Sequence, residues 1–410
     1  MHQLLQGLVF LLLFGCAQLA AQDYPVDPRK SNNKPSADGR LAEPSRSQEL
    51  ISPFQMADRF VVPGNRKTLH WQNVNDLSPG EMPSPVVINH GAFSGPVLCL
   101  ISGVHGDEIN GIATVRRVAF EIDPEQLSGT VIAVPIVNVF GYSRGSRYLP
   151  DRRDLNRYFP GTRHGSIASR LANSLFETVI RRCDFVVDFH TGSFQRSNLP
   201  QVRADLANAK ALDLAHGFGG TLVLHSPGSK GMLRNAAMDA GIASATFEIG
   251  APSRLEMEHI EPSVIAIGRL MRHLNMLPAE TRRRDTKDLA AVFFESRWVR
   301  TNAGGLLVSE VALGQSVRQG QRLGVVVDPL SNTQSSIHSP FPGRVIGMSL
   351  NQQVLPGYAA YHLAKLTTEQ QAVQSATTSA VNEPVPEDDP ENRPNPDEES
   401  EREETEHNGT

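Results

Sequence analysis

Four short, continuous apolar runs with helix-like stretches between them constrain this chain more than any other feature. Pro96–Ser102 (PVLCLIS), Thr130–Val137 (TVIAVPIV), Phe185–Phe189 and Ala245–Ile249 each have the length and composition of a buried strand. Asn110–Ile122, Ser166–Arg181 and Ala207–Gly217 read as helices between or beside them. The alternation predicts an α/β fold built on a mainly parallel or mixed sheet.

Polar residues recur where these apolar runs stop. His105, Glu108, Asn138, His190 and Glu248 each fall at or next to a strand end, although 143 positions separate the first from the last. Open α/β sheets bind ligands beyond the carboxyl ends of their strands, so five such residues point to one pocket. His105 and Glu108 have HxxE spacing on a turn flanked by Gly103 and Gly106, entering a helix. Positions i and i+3 of one turn face the same way, so an imidazole nitrogen and a carboxylate oxygen can share one metal. His190 supplies a third ligand. Two nitrogens and one oxygen with an open fourth position suit a single catalytic Zn²⁺.

Asp188 and His190 are two apart on a strand and point the same way, so Asp188 either supports the ligand or serves as an ordinary strand-end acid. Arg144, Arg147 and Arg157 crowd the Gly- and Pro-rich stretch between the first and third ligands. Guanidinium groups there suit a carboxylate on the substrate or a polarised carbonyl. Glu248 is an acid inside an apolar strand, where burial raises a carboxylate pKa toward the range of a general base.

HGDE at 105–108, DLNR at 154–157, DFH at 188–190 and FEIG at 247–250 resemble, in order and approximate spacing, the succinylglutamate desuccinylase/aspartoacylase family of the zinc carboxypeptidase superfamily. The resemblance spans about residues 50–366. It implies a three-layer α/β/α catalytic domain in which His105, Glu108 and His190 hold zinc. Glu248 is then the general base and Arg147 polarises the scissile carbonyl, with Arg144 as a rival. Asn156 and Arg157 grip a substrate carboxylate, and Asp154 orients His105. Arg234 is implied as a further substrate arginine, and Arg203 more weakly so. The implied reaction is hydrolysis of the amide, or of an ester, of a small N-acyl amino acid through a zinc-activated water.

Gly305–Val308, Arg322–Val327 and Gly343–Met348 are short apolar runs punctuated by Gly and Pro, the pattern of a small β unit. VRQGQRLGVVVDPL and IHSPFPGRVIG resemble the barrel-sandwich hybrid domain appended to this family, which is expected to shape or cover the mouth of the active site. No lysine occurs from Thr301 to Ala364, which excludes a lipoyl or biotinyl carrier.

The chain therefore divides into a signal segment (1–21), a linker (22–48), a zinc-dependent catalytic domain (49–289), a β domain (290–366) and an acidic tail (367–410). Leu4–Ala21 is an apolar run followed by small residues, as in secretory signals. Leu13-Phe14-Gly15-Cys16 resembles a lipobox, so two fates compete: a lipid anchor at Cys16, or cleavage nearer Ala21. Either predicts an exported, periplasmic protein. Export leaves a second function open, a zinc peptidase or amidase acting on peptidoglycan peptides or oligopeptides.

The last 30 residues carry 12 Asp/Glu and 2 Arg, a net −10, so against a total of −5 the rest sums to about +5. With 6% aromatics and no basic run, a nucleic-acid binder is excluded. Three cysteines exclude a disulfide-rich scaffold; Cys99 and Cys183 are expected to be a free buried pair, although export permits a bridge. The sequence leaves the oligomeric state open.

Overall fold

A computed structural model describes residues 51–71, 83–279 and 292–365. The signal segment, Cys16, the linker and the acidic tail lie outside the described residues. Among the described residues, no helix is long and apolar enough to cross a membrane.

Strands β1 (Phe54–Met56) and β2 (Arg59–Val61) form a separate hairpin before the main sheet. That sheet is built from β3 (Asn65–Trp71), β4 (Ser84–His90), β5 (Phe93–Ser102), β6 (Ser128–Val134), β7 (Phe185–His190), β8 (Arg196–Ala204), β9 (Leu222–His225) and β10 (Ala243–Gly250). Its centre, β10-β7-β5-β6, is parallel, whereas β4 runs antiparallel to β6 and β8 antiparallel to β10, so the sheet is mixed.

Side chains alternate across the central strands with period two. Leu98, Leu100, Val187 and Phe247 face one apolar cluster, under helices α1 (Ile109–Glu121), α4 (Ala209–His216) and α6 (Met257–His273). Cys99, Ile101 and Val186 face the other, under α3 (Ile167–Thr178) and α5 (Leu233–Asp239). A short helix, α2 (Val139–Arg144), completes the set. The apolar runs read from sequence match β5, β6, β7 and β10 within a few residues. The predicted helix 166–181 is shorter, because α3 stops at Thr178 and a separate 3-10 turn, Ile180–Arg182, carries the chain into β7.

Cys99 and Cys183 form a disulfide, with Cα atoms 5.9 Å apart, which corrects the expectation of free thiols. The parallel register pairs Cys99 with Val186, bringing the residue that leads into β7 beside β5 across 84 positions of sequence. Spacing alone gives no sign of that proximity. Closing a loop of this size typically contributes about 2–5 kcal/mol to stability.

The C-terminal strands are β11 (Val292–Phe293), β12 (Ser296–Arg300), β13 (Gly305–Ser309), β14 (Ser316–Val317), β15 (Arg322–Val327), β16 (Gln334–His338), β17 (Gly343–Ser349), β18 (Gln353–Val354) and β19 (Ala359–Lys365). β16-β15-β13-β18 make a four-stranded sheet. The expected boundary near residue 290 does not interrupt the main sheet, because β17 pairs with β8 and continues it through β19 to β12. One edge of β8 serves β10; the other serves β17 along Arg196–Asn198 and β9 along Gln201–Ala204.

Candidate active site

The carboxyl ends of β5, β7 and β10 meet on the face that also carries Cys99 and Ile101. β5 runs into Gly103, whose φ of +65° suits glycine, and then into His105-Gly106-Asp107-Glu108 at the start of α1. Gly106 lies so close to Gly141 of α2 that a Cβ would collide with its backbone, so the tight ligand turn requires glycine there. β7 ends at His190, which pairs with Glu248 of parallel β10, while Asp188 pairs with Thr246. His190 and Glu248 are therefore neighbours on one face of the sheet.

His105, Glu108 and His190 are all buried, and their donor atoms lie within 4.8 Å of one another. His105 Nε2–H donates to Asp154 Oδ1 at 2.9 Å, and His190 Nε2–H donates to Asp188 Oδ2 at 2.8 Å. With both Nε2 atoms protonated, the two Nδ1 lone pairs face each other at 3.0 Å. Glu108 adds Oε1 at 2.9 Å from His105 Nδ1 and Oε2 at 2.8 Å from His190 Nδ1. With both imidazoles neutral, three lone-pair donors converge on one buried place, with Arg147 Nη1 3.2 Å from His105 Nδ1, and two imidazoles with one carboxylate are a zinc donor set. The residues present fit a metal ion. Asp154 and Asp188 fix the tautomers that this donation requires.

The electrostatics agree. Burial disfavours the charged form of Glu108, but His105 and His190 outweigh it and hold the carboxyl far below its usual range. Burial likewise disfavours the charged form of His190, yet Asp188 and Glu108 raise its pKa well above the ordinary value. Burial and Arg147 push His105 down while Glu108 and Asp154 push harder upward, so its pKa is raised. For Asp154, burial is overcome by Arg147 and His105, and its pKa lies well below normal. Around the two histidines, Glu108, Asp154 and Asp188 favour positive charge.

Arg147 provides one such charge: Nη1 donates to Glu108 Oε1 at 3.0 Å and Nη2 to Asp154 Oδ2 at 2.9 Å. Arg144 is exposed in the last turn of α2 and is not part of the cleft wall. Asn138 is not part of it either. Its Oδ1 caps α2 by accepting from Gly141 N at 2.8 Å, so this strand-end residue shapes the loop that carries Arg147. Asn156 sits on the 3-10 turn Leu155–Arg157; its Oδ1 accepts from Leu233 N at 2.9 Å, and its Nδ2 lies 3.4 Å from His190 Nε2. Arg157 and Arg234 both line the cleft; Arg157 Nη1 donates to Asn156 O, and Arg234 Nη2 to Ser226 Oγ.

The structure promotes Arg203, the weakest of the sequence-derived arginines. It is buried in the cleft wall, with Nη1 3.8 Å from Glu248 Oε1. Asn198, whose Nδ2 donates to Glu248 Oε2 at 3.1 Å, carried no sequence signal. The exposed Phe194 ring covers the Arg147 guanidinium at 5.5 Å. Residues just after β17 and just before β19 hold that loop: Leu350 N donates to Gln195 O at 2.8 Å, and Tyr358 Oη to Phe194 O at 3.4 Å.

A buried His-Glu-His group that could hold a metal ion, an adjacent carboxylate and an arginine-lined cleft on an α/β sheet suit hydrolysis. Residues 94–274 match the sequence model of the Succinylglutamate desuccinylase/Aspartoacylase catalytic domain, a span that contains every ligand and cleft residue named above. Over residues 94–274 the chain matches the catalytic domain of that family. It is 28% identical over 265 residues to the N-alpha-acetyl-L-2,4-diaminobutyric acid deacetylase of Halomonas elongata, covering 62% of this chain and 77% of the relative. The fold is shared with a succinylglutamate desuccinylase/aspartoacylase from Rhodobacter sphaeroides (TM-score 0.65, 23% identity, 74% of this chain and 96% of that one). It is shared equally with the product-bound ectoine utilization protein EutE (DoeB) from Ruegeria pomeroyi (TM-score 0.65, 22% identity, 78% and 99%).

Proposed function

We propose that the chain is a zinc-dependent deacylase that hydrolyses the amide bond of a small N-acyl amino acid bearing a free carboxylate; an ester of the same shape is the alternative substrate. The observation that carries this reading is the register of Glu248 with His190, which sets a carboxylate beside the His105–Glu108–His190 group. A zinc ion held by those three residues supplies Lewis acidity to the scissile carbonyl and to the attacking water.

Glu248 takes a proton from water as the new C–O bond forms. It returns that proton to the leaving nitrogen as the C–N bond breaks, so one water is consumed and an acid and an amine leave. Arg147 lies at the cleft wall, where its guanidinium stabilises negative charge developing on the acyl oxygen. Arg157, Arg234 and Asn156 receive the substrate carboxylate. Four arginines against two carboxylates line the cleft, an excess of positive charge that matches an anionic substrate. The name of the Halomonas relative supports the same substrate class.

The deciding test uses zinc-loaded protein and a panel of N-acetyl and N-succinyl amino acids, each with its carboxylate free or amidated. Wild type should prefer the free acids; indifference to the carboxylate would move the reading to an envelope-peptide amidase. A bidentate guanidinium–carboxylate contact contributes about 1.5–3 kcal/mol. Arg157→Lys should therefore raise KM roughly 10- to 150-fold with kcat little changed, and lose most of the free-acid preference. A fall in kcat at constant KM would instead exchange the roles of Arg157 and Arg147.

Two further elements of this reading concern context. The four-stranded sheet and the strands packed on it are proposed to be a barrel-sandwich hybrid that shapes the cleft mouth. Export is proposed from the apolar segment at 4–21 together with the Cys99–Cys183 disulfide, because disulfides persist in oxidising compartments. Mass spectrometry of the native N-terminus should find a diacylglyceryl group on Cys16 or a start near Gln22; an intact Met1 would reject export.

A further inference from the structure

We propose that Asn198 is a positioning residue that orients the Glu248 carboxylate, and that β17 fixes Asn198 through Gly347. This rests on the reading of Glu248 as the group that moves the proton.

The β8–β10 ladder delivers Asn198 to the site by an irregularity. Thr246 pairs with Arg203 and Glu248 with Gln201, but Gly250 pairs with Asn198 instead of Leu199, a shift of one residue. Arg203 and Gln201 share a face of β8, and Asn198, three positions before Gln201, would point to the opposite face in a regular strand. The shift re-aims it, as bulges beside active sites do. Its Nδ2 then donates to Glu248 Oε2 at 3.1 Å, in a place where Asn198 is 2% and Glu248 1% exposed. The opposite amide orientation would set oxygen against a carboxylate, so the chemistry fixes which end donates.

Both strand neighbours of Asn198 are glycines, Gly250 on β10 and Gly347 on β17. A Cβ on Gly347 would lie 2.7 Å from Asn198 Oδ1, so β17 backs directly against the amide. That Oδ1 is buried and accepts no hydrogen bond among the described residues. The one side-chain hydrogen bond shown for Asn198 is to the Glu248 carboxylate.

A terminal carboxylate turns easily about its last bond. With Oε2 engaged by Asn198, that rotation stops, and Oε1 is left on the side of Arg203, which lines the cleft. Oε1 is then the atom that accepts the proton from water and delivers it to the leaving nitrogen. The C-terminal strands thus act on the chemistry by holding the amide that holds the base.

The test measures kcat, KM, bound zinc and Tm for Asn198→Ala, Asn198→Asp, Gly347→Ala and the double variant Gly347→Ala/Asn198→Ala, on the best substrate of the panel above. Asn198→Ala should lower kcat about 10- to 100-fold with KM within about twofold and zinc and Tm retained, since orientation of the base matters chiefly in the transition state. Asn198→Asp keeps the shape but removes the donor, and should lose at least as much.

Gly347→Ala should lower kcat about 3- to 10-fold alone and cause no further loss in the Asn198→Ala background, where there is no Oδ1 to meet. In a crystal structure of Asn198→Ala the Glu248 carboxylate should be rotated. Wild-type kcat in Asn198→Ala or Asn198→Asp, or an unmoved carboxylate, would overturn the positioning role. An equal cost of Gly347→Ala in both backgrounds would overturn the part played by β17. Turnover retained in Glu248→Gln would instead remove the reading on which the inference rests.

Discussion

Glu248→Gln is expected to lower kcat by about 10²- to 10⁴-fold, the range spanned by a general acid–base group, while bound zinc stays at the wild-type level. The substitution keeps the side-chain length and the possibility of a contact with Asn198, and it removes the charge facing Arg203 together with the capacity to take and return a proton. Glu248 lies beside His190 in the sheet but outside the His105–Glu108–His190 group, so the metal site should survive the change. Steady-state turnover and metal analysis on the same preparation check this. Turnover within tenfold of wild type would assign proton transfer to another group; loss of zinc alongside turnover would make Glu248 a ligand.

His190→Ala should abolish zinc-dependent stabilisation. A ligand bound only by the folded state adds RT ln(1 + [L]/Kd), about 4 kcal/mol at a thousandfold excess over Kd. For a chain of this size that is a shift on the order of 10 °C in Tm. Wild type should lose that increment in chelator and regain it with zinc, measured by thermal denaturation. His190→Ala removes one of three converging donors and leaves Asp188 without its imidazole partner, so its Tm should be lower and indifferent to zinc. A zinc-dependent rise of wild-type size in His190→Ala would show that the ion binds elsewhere.

The metal group was legible in the sequence because its signals are local. HxxE on a glycine-flanked turn and a histidine closing an apolar strand both report geometry within one turn or one strand. Asp188 was legible for the same reason, since residues two apart on a strand share a face. The central strands were readable from burial on both faces, which leaves no polar alternation to confuse them.

What escaped the sequence depends on register between distant segments. The Cys99–Cys183 bridge follows from the β5–β7 pairing, and no spacing rule reveals it. Asn198 reaches Glu248 only through the shifted register of β8 against β10, and Gly347 reaches Asn198 only because β17 continues the main sheet. Asn138 shows the converse. A polar residue at a strand end satisfied the pattern, yet its side chain caps α2, a use that competes with ligand binding at such positions.

The most direct test of the account is a zinc titration of metal-free protein, following release of free amine from an N-acyl amino acid with a free carboxylate. Activity should rise in proportion to added zinc and break at one equivalent per chain in wild type, with no rise in His190→Ala. Full turnover without metal, or a break that His190→Ala leaves unchanged, would contradict a zinc deacylase centred on His105, Glu108 and His190.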